Sequence, residues 1–187
     1  MKFLPESIKT FLLHRFLEVS GIGSVVLSLF ILISIISYSS FDSNIYNISN
    51  YETVNLGGTL GANISEILLQ LFGYSSFLIC FILVSWSYKL FFTKSLNLFA
   101  LNILLLPIAV FLLSLFFEFS KIPISNGFVA DQFFIFFIDQ EITLNDYVYY
   151  TIVIFLFSLF CIVLYFTAGL ESGEWKKIFT SLKVLII

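Results

Sequence analysis

Four stretches of this chain contain no Asp, Glu, Lys, Arg or His: Val19 to Tyr38, Ile67 to Tyr88, Leu96 to Phe117 and Tyr147 to Leu170. A helix rising ~1.5 Å per residue needs roughly 20 apolar residues to cross a hydrocarbon core of ~30 Å, and each stretch is that long. Lipid offers no partner to backbone N–H and C=O groups, so a span has to satisfy them within itself as a helix. The composition agrees, with 59% hydrophobic and 11% charged residues, where a soluble domain carries roughly a quarter charged. The expected fold is all-α: a polytopic membrane protein with a four-helix transmembrane domain over residues 19–170, its helices at about 19–38, 67–88, 96–117 and 147–170. The first window is too long for a signal peptide and lacks a small-x-small cleavage site before Asp42.

Basic residues set the orientation. Lys2, Lys9 and Arg15 precede the first span, Lys89 and Lys94 lie between the second and third, and Lys176, Lys177 and Lys183 follow the fourth. The two remaining connections hold Lys121 as their one basic residue, against Asp42, Glu52, Glu66, Glu118, Asp131, Asp139, Glu141 and Asp146. That asymmetry is a strong positive-inside signal and predicts cytoplasmic N- and C-termini.

Residues 1–18 read as a cytoplasmic interfacial segment, with Ile8, Phe11, Leu12 and Phe16 near one helical face; an extension of the first span is the alternative. Residues 171–187 read as the start of a cytoplasmic linker. The serines of the first span (Ser20, Ser24, Ser28, Ser34, Ser37) can bond their own carbonyls four residues back while facing lipid. The first outer loop, from Ser39 to about Thr59, is expected to be irregular, ordered by Tyr46, Tyr51 and Leu56 at the membrane surface. Helical spacing from Leu60 to Phe72 starts the second helix before its span, Gly73 calls for a close contact or a kink, and Pro107 should kink the third span. In the second outer loop Phe133 to Ile138 is too short to span and reads as an interfacial or re-entrant segment. Its lead-in, S-N-G-F-V-A-D-Q-F-F, faintly echoes N-L-G-G-T-L-G-A-N-I, and each precedes a returning span, which suggests two related hairpins.

Several chemistries are excluded by missing residues. The turn at Gly57, Gly58 and Gly61 opens a helix as a phosphate cradle does, but no basic residue lies between Arg15 and Lys89, so it is not a G-x-x-x-x-G-K-[ST] motif. His14 is the single histidine and no cysteine pair has ligand spacing, which removes zinc and a Ser/His/Asp triad. Cys80 and Cys161 are expected as small buried hydrophobes. No basic cluster could hold DNA. A channel or transporter usually places ionisable groups inside its spans; here only Gln70, Asn97 and Asn102 are polar amides in or near them, the usual glue between helices. Trp86, Tyr88 and Lys89 form an aromatic and basic anchor at the inner end of the second span. No catalytic, cofactor-binding or metal-binding residue is identified.

One resemblance goes further. Ser37, Tyr38 and Asp42; then Asn55, Leu56, Gly57, Gly58, Gly61 and Ala62; then Leu68, Leu69, Leu71, Phe72, Gly73 and Tyr74; and finally Trp86, Tyr88, Lys89 and Leu90 follow in order. This succession resembles the N-terminal four-helix membrane region of the FtsK/SpoIIIE DNA translocases, whose pattern runs S-Y-x-x-x-D-P-S, N-L-G-G-x-x-G-A, L-L-x-x-L-F-G-Y and W-x-W-R-L. Ser43 and Asn44 replace the usual Pro-Ser, Ser65 and Glu66 stand where Ala-Asp is common, and Cys80 takes a position often held by proline. The close match covers Ser37 to Leu90.

The resemblance implies an anchor in the bacterial inner membrane, multi-pass and septal, serving cell division and chromosome partition. It implies a homo-oligomer, a hexamer in the family, in the lipid bilayer and beside division-septum proteins. DNA would be touched only through a downstream RecA-like motor with Walker motifs, which residues 1–187 do not contain, so the expectation is a non-enzymatic anchor without a cofactor. A stand-alone four-helix transporter or channel subunit is the alternative that topology alone would allow.

Overall fold

A computed structural model of the chain describes residues 5–45, 52–94, 99–122, 127–138 and 146–186. Lys2, Tyr46, Tyr51, Asn97, Asp139 and Glu141 lie outside the described residues, as do the side chains of Asp146 and Lys183. The described residues are all-helical: α1 Glu6–Ile36, α2 Gly58–Phe72, a 3₁₀ turn Gly73–Ser76, α3 Phe77–Tyr88, a π turn Lys89–Thr93, α4 Phe99–Phe119, α5 Phe128–Ile138, α6 Asp146–Thr167 and α7 Ser172–Ile186. Four helical stretches are long and apolar enough to cross a membrane: Glu6–Ile36, Gly58–Thr93, Phe99–Phe119 and Tyr147–Thr167.

α1 runs unbroken from Glu6 into the first span, the extension named above as the alternative; it is one helix of 31 residues, about 46 Å long, so its length exceeds a ~30 Å core. Ile8, Phe11, Leu12 and Phe16 are all exposed. Nothing in Glu6 to Glu18 breaks a helix, and propagation from the long apolar run is less costly than starting a second nucleus.

The second expected span is divided. Gly73 has φ 57° and ψ −143°, a conformation open to glycine and strained for other residues, and there α2 stops and the chain turns before α3. The register of α3 on α1 shows what this does. Ser28 Oγ donates to the Cys80 carbonyl at 3.0 Å, and Gly21 faces the Ser87 carbonyl and the Phe91 amide, so the two helices are antiparallel. Ser34 lies six residues, about 9 Å, beyond Ser28, level with Tyr74. Yet Ser34 Oγ is also against Gly57 and Gly61. Both ends of α2 are therefore level with the same turn of α1, and α2 lies across the bundle end instead of along the bundle. The crossing helix is α3 with its π turn, roughly 25 Å.

The suggested repeat is present in three dimensions. α1 packs chiefly on α3 and α2, and α4 on α6 and α5. Each long helix is thus followed by a short one near its far end and then by a returning span. There are two apolar cores: Ile31, Ile35, Cys80, Ile82, Leu83 and Trp86 of the first unit close on Ala109 of α4 in one, and Leu115, Phe119 and Ala130 form the other within the second unit. Phe133 to Ile138 falls in α5, a helix of 11 residues, about 16 Å and too short to span. Gly127 docks it against the Gly73 break: a Cβ there would lie 2.5 Å from the Leu71 carbonyl and from the Phe72 amide.

Since lipid tails are as apolar as leucine, close packing and interhelical hydrogen bonds hold spans together. Small residues accordingly line the contacts, with Gly21, Ser28, Cys80, Ser85, Ala109 and Ser114 all buried. α4 continues through Pro107, and Ala109 beside it packs into the first core. Cys80 is buried as expected, whereas Cys161 is exposed. Of the serines, Ser24, Ser34 and Ser37 donate to carbonyls four residues back. Ser28 and Ser34 nevertheless face protein, not lipid: both are buried.

Candidate functional site

The residues singled out in the sequence gather into two polar clasps, one at each end of the bundle. The first, at the loop end, is built by the chain between α1 and α2. Asp42 is buried and its carboxylate accepts the Val54 amide at 2.7 Å and the Asn55 amide at 3.0 Å, pinning the two ends of the loop together. Asn55, also buried, donates from Nδ2 to the Ser34 carbonyl at 2.9 Å and toward Ser65 Oγ at 3.3 Å, and its Oδ1 accepts the Gly57 amide at 2.9 Å. Ser37 Oγ accepts the Leu56 amide at 3.0 Å. The described Val54, Asn55, Leu56 and Gly57 amides thus find side-chain acceptors, as backbone donors outside a helix or sheet ladder must.

The glycines of N-L-G-G-T-L-G-A now have separate reasons. Gly58 has φ 64°, the left-handed value that turns the chain into α2. A Cβ on Gly61 would stand 2.5 Å from Asn55 Oδ1 and 2.7 Å from Ser34 Oγ, and one on Gly57 2.5 Å from Ser34 Oγ. Ala62 is buried beside them. The turn cradles an asparagine and a serine of its own chain, not a phosphate.

Next to it lies a buried carboxylate. Glu66 Oε2 accepts Asn44 Nδ2 at 3.1 Å, and its Oε1 accepts Gln70 Nε2. The Tyr38 phenol lies nearby; desolvation first, then the Glu66 carboxylate and the Asp42 charge, push it up to about 12. Asn63 Oδ1 accepts the Ile45 amide at 2.7 Å. Tyr46 and Tyr51, expected to order this loop at the membrane surface, lie outside the described residues; where the loop is described, hydrogen bonds to Asp42, Asn55, Ser37 and Asn63 fix it, and the Leu56 side chain is 78% exposed. Gly73 and Tyr74 stand apart at the far end of α2, where Tyr74 stacks on Phe77.

The second clasp lies at the termini end and joins α3 to the α6–α7 turn. Ser85 Oγ donates to the Ala168 carbonyl at 2.6 Å and Trp86 Nε1 to the Thr167 carbonyl at 2.7 Å, satisfying the carbonyls that a helix C-terminus leaves open. Lys89 Nζ reaches Glu171 at 3.2 Å and Glu174 at 3.0 Å, and its side chain is only 4% exposed. Lys94 Nζ pairs with Glu18 of α1 at 2.7 Å. Lys89 is thus more than the interfacial anchor read from sequence. Its partners Glu171 and Glu174 are more than 80 positions away, and no local pattern announces them.

Basic residues are segregated along the bundle. Among the described residues Lys9, Arg15, Lys89, Lys94, Lys176 and Lys177 are carried at the termini end, together with Glu6, Glu18, Glu171 and Glu174, whereas the other end carries Asp42, Glu52, Glu66, Glu118 and Asp131 and the single base Lys121, which lies over the Tyr149 ring at 5.0 Å. Sequence reasoning missed Ser34, Asn44, Asn63, Ser65 and Glu66 at the loop end and Ser85, Thr167, Glu171 and Glu174 at the other. Polar residues beside a glycine-rich turn were the one available signal.

The geometry brings these residues into two structural fastenings, one at each end of the bundle. No curated protein and no solved structure matches the chain. Residues 14–181 match the family described as the 4TM region of DNA translocase FtsK/SpoIIIE, which takes in both clasps, all four spans and most of α7. The chain belongs to this four-transmembrane-helix family of the FtsK/SpoIIIE DNA translocases.

Proposed function

We propose that this chain is the non-enzymatic anchor and self-association region of a bacterial DNA translocase, set in the inner membrane at the division septum with both termini cytoplasmic. The observation that carries this reading is the family match over residues 14–181. The charge segregation supports the orientation, since Lys and Arg collect on the cytoplasmic side. α2 and α5 then rest in the outer interfacial layer, and Lys89, Trp86 and Ser85 tie the α6–α7 turn to the bundle. Force on a motor carried beyond α7 would reach α3 through that clasp. α6 leaves Ile154, Phe155, Phe157 and Ile162 exposed, a face on which copies could associate into the family's hexamer. Division-septum proteins would meet the outer loops, and DNA only the motor.

No observation favours a transporter: Gln70 is bonded to Glu66 at the loop end, while Asn102 is buried near the opposite end of α4, so the two amides do not line one path. Two measurements test the proposal. The gene read past Ile187 should continue through a linker into G-x-x-x-x-G-K-[ST], and a stop codon with no neighbouring motor gene would count against it. Photobleaching of the labelled chain in native membrane particles should show multiple steps up to six; single steps throughout would remove self-association.

A further inference from the structure

At the termini end α6 and α7 diverge from the Gly169 turn and leave a cleft of about 770 Å³. Its α6 wall is Cys161, Leu164 and Tyr165; its α7 wall includes Ser172, Trp175 and Lys176. The cleft is two-sided in chemistry. Cys161 lies six residues before the end of α6 at Thr167, about 9 Å into the span, so the α6 wall reaches acyl-chain depth. The Tyr165 and Trp175 rings stack at 6.3 Å and 20° and mark the level of the membrane interface, where such rings are favoured. Lys176 stands at the mouth, exposed. The acids of its own helix turn are spoken for, because Glu171 and Glu174 both pair with Lys89. Among the described residues Lys176 forms no ion pair.

We propose that this cleft binds one anionic glycerophospholipid, with an acyl chain along Cys161, Leu164 and Tyr165 and the phosphate-bearing headgroup on Lys176. Charge complementarity chooses the occupant: a lipid of neutral headgroup fills the apolar wall equally well but gains little net attraction from Lys176, whereas a net negative one adds a charge-assisted contact. The volume suits part of an amphiphile, and the cleft opens where a span ends and headgroups begin. α7, clasped to α3 through Glu171 and Glu174, would then also be seated on lipid charge. The inference needs only the membrane spans, not self-association or a motor, and so stands or falls apart from the anchor reading.

The test uses the full chain in phosphatidylcholine vesicles that contain a fixed fraction of dibrominated phosphatidylglycerol or dibrominated phosphatidylcholine. Bromines quench a tryptophan they touch, and subtracting the signal of Trp175→Phe assigns the quenching to Trp175. Phosphatidylglycerol should quench Trp175 about fivefold more effectively, the effect of one lysine near an anionic surface. Lys176→Gln should reduce the preference to parity while leaving quenching by phosphatidylcholine as it was. Lys177→Gln, outside the cleft lining, should keep most of it. Equal quenching by both lipids in the parent, or a preference that survives Lys176→Gln, would overturn the proposal. So would an equal loss in Lys177→Gln, which would assign the attraction to the helix's overall charge. A fall in quenching by both lipids in Lys176→Gln would mean that Lys176 holds α7 and not a headgroup, and would overturn it too.

Discussion

Replacing Gly61 by alanine is the most discriminating perturbation of the loop-end clasp, because two physical effects of opposite sign compete there. Gly61 lies inside α2, where alanine is favoured over glycine by about 1 kcal/mol. The added Cβ, however, would stand 2.5 Å from Asn55 Oδ1 and 2.7 Å from Ser34 Oγ, well inside an ordinary 3.5–4.0 Å contact. Neither atom can retreat without loss. Asn55 is held by bonds to the Ser34 carbonyl and the Gly57 amide, and Ser34 Oγ by the Phe30 carbonyl at 2.7 Å. Overpacking costs ~1–3 kcal/mol and each buried bond given up about 1 kcal/mol more. The net expectation is a destabilisation of about 2–3 kcal/mol. Gly23 of α1 is the control, for a Cβ there meets nothing within 4 Å, so Gly23→Ala should gain up to ~1 kcal/mol from helix propensity. For a chain of this size about 1 kcal/mol moves Tm by ~2–4 °C. Thermal unfolding of the detergent-solubilised protein, followed by far-UV circular dichroism, should therefore place Gly61→Ala roughly 5 °C or more below the parent and Gly23→Ala at or slightly above it. If Gly61→Ala matches or exceeds the parent, the close approach does not exist and the reasoning for the glycine-rich turn fails.

Lys89→Met should free the start of α7, costing less than the ~3–5 kcal/mol of a fully buried pair because Glu171 is 75% exposed and solvent screens it; limited proteolysis between Gly169 and Ser172 should accelerate, and an unchanged digestion rate would count against the clasp. Gly127→Ala should lower Tm, since its Cβ would meet backbone at 2.5 Å and its φ is 84°; an unchanged melting curve would mean that α5 does not dock on the Gly73 break. The Tyr38 phenol, pushed up to about 12 in the fold from ~10 unfolded, binds its proton more tightly when folded. Its stabilising effect is complete below pH ~10 and is lost as pH rises toward 12. Tyr38→Phe should accordingly lose less stability than the parent between pH 9.5 and 11.5 in a urea titration, and parallel curves would show that burial beside Glu66 does not hold this phenol in its protonated form.

The spans were legible because freedom from charge over about 20 residues is a one-dimensional property, and lipid enforces it segment by segment. The crosswise course of α2 was not. Hydropathy joins Ile67 to Tyr88 into one window because it is blind to direction, and only Gly73, an isolated glycine in an apolar run, hinted at the turn. The glycines of the first clasp could be recognised by pattern, yet their reasons involve Ser34, more than 20 positions earlier. Glu66 read as one acid among those of the outer connections and Lys89 as a membrane anchor. Each is a buried charge whose partners come from other elements, and a charge of that kind looks like any surface charge until the fold supplies them. Cys161 failed in the opposite direction: a burial habit drawn from soluble proteins does not distinguish lipid from protein as the apolar surrounding.

A single fusion tests the central claim, that this chain is a septal membrane anchor whose C-terminus faces the cytoplasm. The full chain carrying a C-terminal fluorescent protein that matures only in the cytoplasm would be expressed at low level in dividing bacterial cells. The account predicts a fluorescent band at the division plane that persists without any motor attached. A dark fusion whose protein is nonetheless present in the membrane fraction, or fluorescence spread evenly around the cell envelope, would contradict it.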